Sequence, residues 1–480
     1  MLRRLFKESL VYGLSRYIGK FIGVFLLPLY TAVLKPEDYG ILDLLATIQL
    51  VSAFLIVSGT DAALSYYYFR KEFSDQRPIM ISSALWIRII FSFVIIIIIS
   101  FGSGFISNLM FGSDYKLFIW ITAITILFNS VFSFLSDLLR FELRPWLFTI
   151  VATGSILLNI LLTIYFVLIL KQGVYGALMA AAFAYGTFFI YTVIYVFKKY
   201  GAGFSKQWMK DILSYGFPLI GTGIAVWVLT STDRYFLAHY IDISSVGIYA
   251  VGMKLASFLG LVAGAVQLAW GPFAMDIQDH PNAKKIYSKV FVLFSVVNIL
   301  GVFLISIFSI DILKVFTQPE YYSAKVVVPF LCMSTVLNSA YFIVAIGINL
   351  TKKLQHTIWI TISAALLNIG LNFLLIPDYG VIGAAFCLMI ANLTIFLLTF
   401  FISQKYYPIN FRFGIILLIL IPSALIIAAS YYFELKIFAR IIITVIYIAI
   451  TSTYLYHSIK HSNEFRNLLA KVRGMREKRN

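Results

Sequence analysis

The chain has 480 residues, of which 61% are hydrophobic and only 12% are charged, and its mean hydropathy is +0.92. Because an ordinary soluble domain is about 25% charged, this composition excludes a water-soluble globular protein and predicts an integral membrane protein. A formal net charge of +17 would suggest nucleic acid as the partner of a soluble protein. Here basic residues facing the cytoplasm and anionic lipid headgroups explain it, so we expect membrane lipids and no nucleic acid as partners.

Fourteen apolar segments follow one another along the chain, each close to the length of about 20 residues that crosses a bilayer as a helix. They are continuously apolar rather than alternating, so they predict helices and not barrel strands. The predicted fold class is an all-α integral membrane protein with about 14 transmembrane helices. The predicted spans are roughly 9–34, 42–69, 80–102, 117–139, 146–170, 174–197, 212–238, 245–273, 290–313, 326–349, 355–376, 381–403, 413–432 and 437–457.

The lysines and arginines predict the orientation of these spans. With the N-terminus in the cytoplasm, cytoplasmic turns and both termini hold 26 of the 38 basic residues, outer turns hold six, and six lie within spans. Such a split is a strong positive-inside signal, so both termini are predicted to be cytoplasmic. The first apolar stretch is too long for a signal peptide, which predicts that it is kept as the first span.

The first half of the chain recurs in the second half. The run LLNI that contains Asn159 returns around Asn368, 209 residues later, and Tyr39-Gly40 returns as Val246-Gly247, 207 residues later. A tandem repeat in a very apolar chain is typical of a two-lobed transporter. Because each repeat holds six spans, the lobes should have the same orientation, with a pseudo-two-fold axis along the membrane normal and a cavity between them.

The repeat also predicts how the chain is divided. Its two copies form pseudo-symmetric six-helix lobes, followed by two C-terminal helices that lie outside the repeat. The predicted parts are an N-lobe at 1–197, a cytoplasmic linker at 198–211, a C-lobe at 212–403, spans 13 and 14 at 404–457, and a basic cytoplasmic tail at 458–480.

Patterns typical of enzymes and of metal or nucleotide sites are missing. Cys332 and Cys387 have no CxxC partner, the five histidines are scattered, and there is no GxxxxGK[ST] loop. The longest outward turn, at 102–116, is too short for a catalytic domain. The sequence therefore predicts a transporter rather than an enzyme, with no catalytic residues, no metal and no cofactor.

Charged residues inside the spans are the candidate functional residues. A charge facing lipid at the bilayer centre costs about 2.5–3.5 kcal/mol on insertion scales, so such residues tend to face a partner or a water-filled cavity. Six in-span cations stand against two clear in-span carboxylates, and a net cationic cavity suits an anionic substrate such as a pyrophosphate. The residues predicted to line this cavity and bind substrate are Arg16, Lys20, Arg88, Arg234 and Lys254.

The remaining in-span charges have other predicted roles. Asp61 and Asp233 are predicted to pair with the buried cations or to couple transport to an ion. Asp61 lies near the cytoplasmic end of its span, where it could pair with Arg16 or Arg88. Arg440 lies near a span end outside the repeat and is predicted to be an anchor at the membrane interface.

Three short motifs occur in a fixed order along the chain. They are Pro36-Glu37-Asp38-Tyr39-Gly40 after span 1, Asp233-Arg234 followed by Val246-Gly247-Ile248-Tyr249 and Lys254-Leu255, and Gly380-Val381-Ile382-Gly383-Ala384-Ala385. In order and spacing they resemble the polysaccharide transporter family, the O-antigen and capsule flippases of the MOP superfamily. The resemblance covers nearly the whole chain, and of the candidate residues it supports Asp233, Arg234 and Lys254.

This resemblance implies a flippase of the bacterial cytoplasmic (inner) membrane. The implied substrate is a polyprenyl-pyrophosphate-linked oligosaccharide, the repeat unit of O-antigen, capsule or exopolysaccharide, moved from the cytoplasmic to the outer leaflet by alternating access. It further implies a polysaccharide polymerase and chain-length machinery as partners. Two alternatives stay open: a lipid II flippase, which also favours a cationic cavity, and a multidrug or cation antiporter of the same superfamily, which should carry more in-span carboxylates than cations.

Overall fold

A computed structural model describes residues 26–353 and 355–460, with side chains up to residue 454. This part of the chain is almost entirely helical and contains no β-strand, which confirms the predicted all-α fold. The predicted first span, 9–34, lies mostly outside the described residues, and so does the basic tail beyond residue 460. Arg16 and Lys20 also lie outside them.

The helices of the predicted N-lobe follow one another through short turns. They are α1 (Pro36–Val57), α2 (Thr60–Tyr68), α3 (Arg77–Phe111), α4 (Lys116–Phe141), α5 (Pro145–Thr163) and α6 (Gly173–Tyr200), with a 3₁₀ turn at Lys71–Gln76 and a π turn at Ile164–Ile169. Between α6 and the next helix, non-helical backbone is confined to residues 201–205. Helices therefore extend into both ends of the predicted linker at 198–211.

The helices of the predicted C-lobe and of the two spans after it come next. They are α7 (Lys206–Tyr240), α8 (Ile243–Asp276), α9 (Ala283–Ile307), α10 (Ser309–Phe316), α11 (Val328–Val344), α12 (Ile346–Leu350), α13 (Gln355–Tyr406), α14 (Phe413–Tyr432) and α15 (Ile437–Lys460), with a 3₁₀ turn at Pro319–Val326.

The described residues contain twelve helical segments that are long and apolar enough to cross a membrane. One of them, α13, has 52 residues and is broken at Gly380, whose φ of 52° and ψ of −130° are not helical, so it supplies the two spans predicted around the turn at 377–380. With the predicted first span, this agrees with about 14 transmembrane helices. A second break, at Ser58 and Gly59 with φ of 44° and 67°, separates α1 from α2 within one span.

The motif at Pro36–Gly40 starts helix α1. Pro36 occupies the first helical turn, where its missing N–H removes no helical hydrogen bond. The Asp38 carboxylate accepts a 3.1 Å hydrogen bond from the backbone N–H of Lys35 just before the helix. The motif therefore fixes where α1 begins, and Gly40 follows one turn later on the face that meets the C-lobe.

Helix α1 packs against α8 of the other lobe through two glycines. A Cβ atom on Gly40 would lie 2.1 Å from the carbonyl oxygen of Ile243, and one on Gly247 would lie 1.9 Å from the carbonyl oxygen of Pro36. Both distances are far shorter than any contact a side chain makes, so only glycine allows the two backbones to come this close. The two helices therefore touch backbone to backbone near their N-terminal ends.

Helix α1 also packs along α7, in the opposite direction. Near its start, Asp43 contacts Arg234; further along, a Cβ on Gly223 would lie 2.7 Å from the Phe54 ring. At the break after α1, a Cβ on Gly216 would lie 2.0 Å from the carbonyl oxygen of Ser58. The contact between the lobes therefore runs along the whole of α1.

Candidate functional site

A charged contact between the two predicted lobes joins α1 to α7. Arg234 of α7 donates a 2.8 Å hydrogen bond from Nε to Oδ2 of Asp43 in α1. The side chains of Arg234 and Asp43 are 10% and 23% exposed, so this ion pair lies largely out of water. A charge pair at such a place is weakened little by solvent, and it links the lobes directly.

Arg234 is held on its own side by a second carboxylate. Its Nη1 donates a 2.8 Å bond to Oδ1 of Asp233 and a 2.5 Å bond to the carbonyl oxygen of Thr230. Asp233 is fully buried, and its other oxygen accepts a hydrogen bond from the Tyr249 hydroxyl of α8. The Arg234 guanidinium also lies 5.3 Å from the centre of the Tyr249 ring. Asp233 and Tyr249 therefore orient Arg234 toward Asp43.

One turn after Asp43, Thr47 extends the same inter-lobe contact. Its hydroxyl lies 2.5 Å from the Tyr235 hydroxyl, and its carbonyl oxygen accepts a 2.9 Å hydrogen bond from Nε1 of Trp227. Because Asp43 and Thr47 are four residues apart, they share one face of α1. Asp43 and Thr47 therefore both bind polar side chains of α7 from the same face of α1.

This polar contact is present on one side of the repeat only. The two repeats are related by an offset of 207 residues at one motif and 203 at another. With the offset of 207, the counterpart of Asp43 is Ala250. With the offsets of 207 and 203, the counterparts of Arg234 are Leu27 and Thr31. All three are buried and none is charged. The ion pair between α1 and α7 therefore has no charged equivalent at the positions that the repeat relates to it.

Arg88, another predicted cavity-lining residue, lies inside the N-lobe. Its guanidinium donates to the Thr60 hydroxyl at 3.0 Å, to the Ser133 hydroxyl at 2.9 Å and to Asp137 Oδ2 at 3.2 Å. Its side chain is 1% exposed. Arg88 therefore ties α2, α3 and α4 together, and it takes Asp137 as its carboxylate partner rather than Asp61.

Lys254 and Asp61 are the predicted site residues with open surroundings. Lys254 is exposed on α8, and within the described residues its ammonium group makes no hydrogen bond or ion pair. Asp61 is half-buried in the first turn of α2, just after the break that follows α1. The structure thus brings Arg234 and Asp233 together, and among the described residues it gives Lys254 and Asp61 no charged partner.

Arg440, predicted to be an anchor at the membrane interface, is buried near the start of α15. Both ends of its guanidinium fork bind Asp311, at 2.6 Å from Nη1 and 3.1 Å from Nη2, a partner that the sequence did not indicate. Arg440 also donates a 2.8 Å bond to the carbonyl oxygen of Ile307. It therefore fastens α15 to the end of α9 and to α10.

The excess of cations over carboxylates inside the spans is smaller than the sequence predicted. Asp43 and Asp137, which lie near the ends of predicted spans, were left out of the carboxylate count, yet each neutralises a buried arginine. Among the described residues, Arg88, Arg234 and Arg440 each have a carboxylate partner, whereas Lys254 has none. The helical register would have revealed Asp43, since it lies three residues after the Gly40 that the repeat singles out.

Two family models match this sequence. One, described as polysaccharide biosynthesis protein, matches residues 5–278, and the other, described as MatE, matches residues 218–374. Lsg locus putative protein 1 of Haemophilus influenzae is 25% identical over 286 residues, which cover 56% of this chain and 66% of that protein. An uncharacterized membrane protein of Methanocaldococcus jannaschii is 24% identical over 421 residues, covering 79% of this chain and 81% of that protein.

Solved transporters share the fold. The lipid II flippase MurJ in an inward closed conformation superposes with a TM-score of 0.73 at 17% identity, over 95% of this chain and 99% of that protein. A multidrug resistance MATE family transporter of the MOP superfamily, in its inward-facing conformation, gives a TM-score of 0.63 at 16% identity, over 83% and 94%. At these identities the likeness establishes the fold and leaves the substrate open.

Proposed function

Since this chain belongs to the polysaccharide biosynthesis protein family, we propose that it is a flippase for polyprenyl-pyrophosphate-linked oligosaccharide. It moves the lipid-linked repeat unit from the cytoplasmic to the outer leaflet of a bacterial inner membrane by alternating access. The observation that carries this proposal is the match of the polysaccharide biosynthesis model over residues 5–278, which includes the whole described N-lobe and the inter-lobe contact.

The inter-lobe contact gives the proposal a mechanism. The glycine contact of α1 with α8 serves as a pivot, because two backbones in direct contact can rock without losing interdigitated side chains. The Asp43–Arg234 pair on one side of that pivot serves as a latch. Alternating access requires a small number of discrete contacts that break and re-form, and the largely buried Asp43–Arg234 pair meets that requirement.

Substrate binding is proposed for cations whose charge is not already neutralised by a carboxylate. Lys254 is the exposed in-span cation without a partner in the described part of the chain, and Arg16 and Lys20 are proposed beside it from the sequence. Arg234 would contact substrate after the latch opens. Asp61, half-buried and unpaired within the described residues, is the proposed site of ion coupling.

Reconstituted transport tests the proposal. Purified protein in liposomes would receive polyprenyl-pyrophosphate-linked oligosaccharide with a fluorescent group on the sugar, and a membrane-impermeant reductant that quenches the fluorophore irreversibly would be added outside. We expect the quenched fraction to rise from about half, the outer-leaflet share, toward completion within minutes. Protein-free liposomes provide the baseline, and a quenched fraction that stays at this baseline would overturn the proposal.

A multidrug antiporter is the second candidate, favoured by the MatE match at 218–374. The same liposomes distinguish the two functions when they are loaded with a cationic dye and given a proton gradient. Dye extrusion that depends on the gradient, without sugar-lipid movement, would favour the antiporter. Labelled lipid II in place of the oligosaccharide lipid separates the two flippase functions. A polymerase and chain-length machinery remain proposed partners at the outer surface.

A further inference from the structure

A polar cavity of about 290 Å³ lies away from the inter-lobe contact, at the ends of the last spans. The end of α9, helix α10, the 3₁₀ turn at Pro319–Val326, the end of α14 and the start of α15 form its walls. All of these segments lie where spans end or begin, so the cavity opens at one membrane surface. The basic-residue distribution predicts that this is the outer surface.

Arg440 forms the rigid base of the cavity. Its fork is held by Asp311 and by the carbonyl oxygen of Ile307, and its side chain is 9% exposed. Its Nε–H group is buried and has no acceptor among the described residues. A buried donor without an acceptor is unfavourable, so the guanidinium has hydrogen-bonding capacity that its protein partners do not use.

Two lysines supply positive charge to the same cavity. Lys314 of α10 and Lys325 of the 3₁₀ turn both line it, and within the described residues neither ammonium group has a carboxylate partner. Tyr431 fixes the wall between them, because its hydroxyl lies 2.7 Å from the Ser309 hydroxyl and 2.9 Å from the carbonyl oxygen of Lys325. Glu434 also lines the cavity, and with Asp311 it reduces the net charge of the cluster to +1, three cations against two carboxylates.

We propose that this cavity binds a phosphate group, that of a lipid headgroup at this membrane surface or free phosphate. Lysine ammonium groups and an arginine N–H are the donors that phosphate oxygens prefer. The level of the cavity, at the ends of the spans, is where phosphates of membrane lipids lie. The site is independent of the inter-lobe contact and of the proposed transport substrate.

Lipid binding to the purified full-length protein tests this site. Native mass spectrometry would count bound phosphatidylglycerol, an anionic lipid, against phosphatidylcholine, a zwitterionic one, for the wild type and for Lys314→Gln/Lys325→Gln. A matched control, Lys116→Gln/Lys171→Gln, removes two exposed lysines from the same predicted surface away from this cavity. We expect the cavity variant to lose about tenfold in phosphatidylglycerol affinity and the control to keep it.

A competition experiment with inorganic phosphate distinguishes the two possible sources of the phosphate group. Displacement of phosphatidylglycerol by millimolar inorganic phosphate would identify free phosphate as a ligand of the site, whereas binding that resists it would identify the lipid headgroup. Equal phosphatidylglycerol and phosphate binding by the cavity variant and the control variant would overturn the proposal. A melting temperature for each variant in detergent shows that a loss of binding is not a loss of fold.

Discussion

Gly40 and Gly247 are equivalent residues of the two repeats, and they contact each other. The contact is reciprocal: Gly40 meets the carbonyl oxygen of Ile243, and Gly247 meets that of Pro36, with each pair of counterparts 207 residues apart. Reciprocal contacts between equivalent residues arise only beside a two-fold axis. We therefore expect the pseudo-two-fold axis to pass between α1 and α8, where the backbones of the two predicted lobes are in direct contact.

Replacing either glycine by alanine should separate the lobes. Because the new methyl group would meet backbone rather than a flexible side chain, neighbouring atoms cannot rotate away, and α1 and α8 must move apart. We expect Gly40→Ala and Gly247→Ala each to lower the melting temperature and to reduce transport in liposomes by about tenfold or more, with an overpacking cost of about 1–3 kcal/mol.

Gly221→Ala is the control for this prediction. Gly221 also lies in an inter-lobe helix, α7, but a Cβ there meets no atom within 4 Å. Alanine is favoured over glycine inside a helix by about 1 kcal/mol, so this variant should be as stable as the wild type or more stable. Normal transport by Gly40→Ala would show that the backbone contact is not needed.

The Asp43–Arg234 pair should show energetic coupling between the lobes. Unfolding in detergent would be measured for Asp43→Asn, Arg234→Gln and the double variant. Because the pair is largely buried, we expect a coupling energy toward the upper part of the range of about 0.5–3 kcal/mol found for contacting residues. Arg234→Gln should be the more damaging single change, since it also leaves Asp233 buried without its cation.

The exposed pair of Asp114 and Lys116 provides the control for this measurement, with the two single variants and the double variant made in the same way. Its atoms are 3.5 Å apart, and its side chains are 70% and 51% exposed, so we expect no measurable coupling. Additive effects at Asp43 and Arg234 as well would mean that this ion pair does not latch the lobes together.

Hydropathy and the repeat were sufficient to predict the helices and to mark Gly40 and Gly247. The turn at Gly380 was predicted as well, because two apolar runs separated by so short a turn exceed one bilayer thickness. Charge partners were harder to predict. The sequence predicted that Asp233 pairs with a buried cation, and the long Arg234 side chain does bend back to bind Asp233, but the sequence did not indicate Asp43 as the second partner.

Arg88 shows why burial inside a span does not by itself identify a cavity. Its depth favoured substrate contact, but its partners come from α2 and α4, and Asp137 lies 49 residues away in sequence. A single sequence gives the register of each helix but not the rotation of one helix against another. Which face of α4 meets α3 is decided by packing.

Arg88→Ala should therefore act through stability. Removing one partner of a buried ion pair costs about 3–5 kcal/mol, so we expect less folded protein in the membrane and transport that falls in proportion. Arg140→Gln is the matched control, because Arg140 binds the same Asp137 from a position that is 44% exposed. A normal amount of folded Arg88→Ala protein without transport would instead support the predicted role of Arg88 in binding substrate.

Lys254→Gln should act through substrate binding. Lys254 is exposed and has no partner among the described residues, so its loss should change stability by no more than about 0.5 kcal/mol. If its charge attracts the pyrophosphate, the KM for the lipid-linked oligosaccharide should rise about tenfold, and Lys254→Arg should restore most of the affinity. Lys353→Gln, an exposed lysine in the turn before α13, should leave the KM unchanged. Equal KM values for Lys254→Gln and Lys353→Gln would show that Lys254 does not bind the substrate. Arg16, Lys20 and Arg234 would then remain the proposed partners of the anionic group.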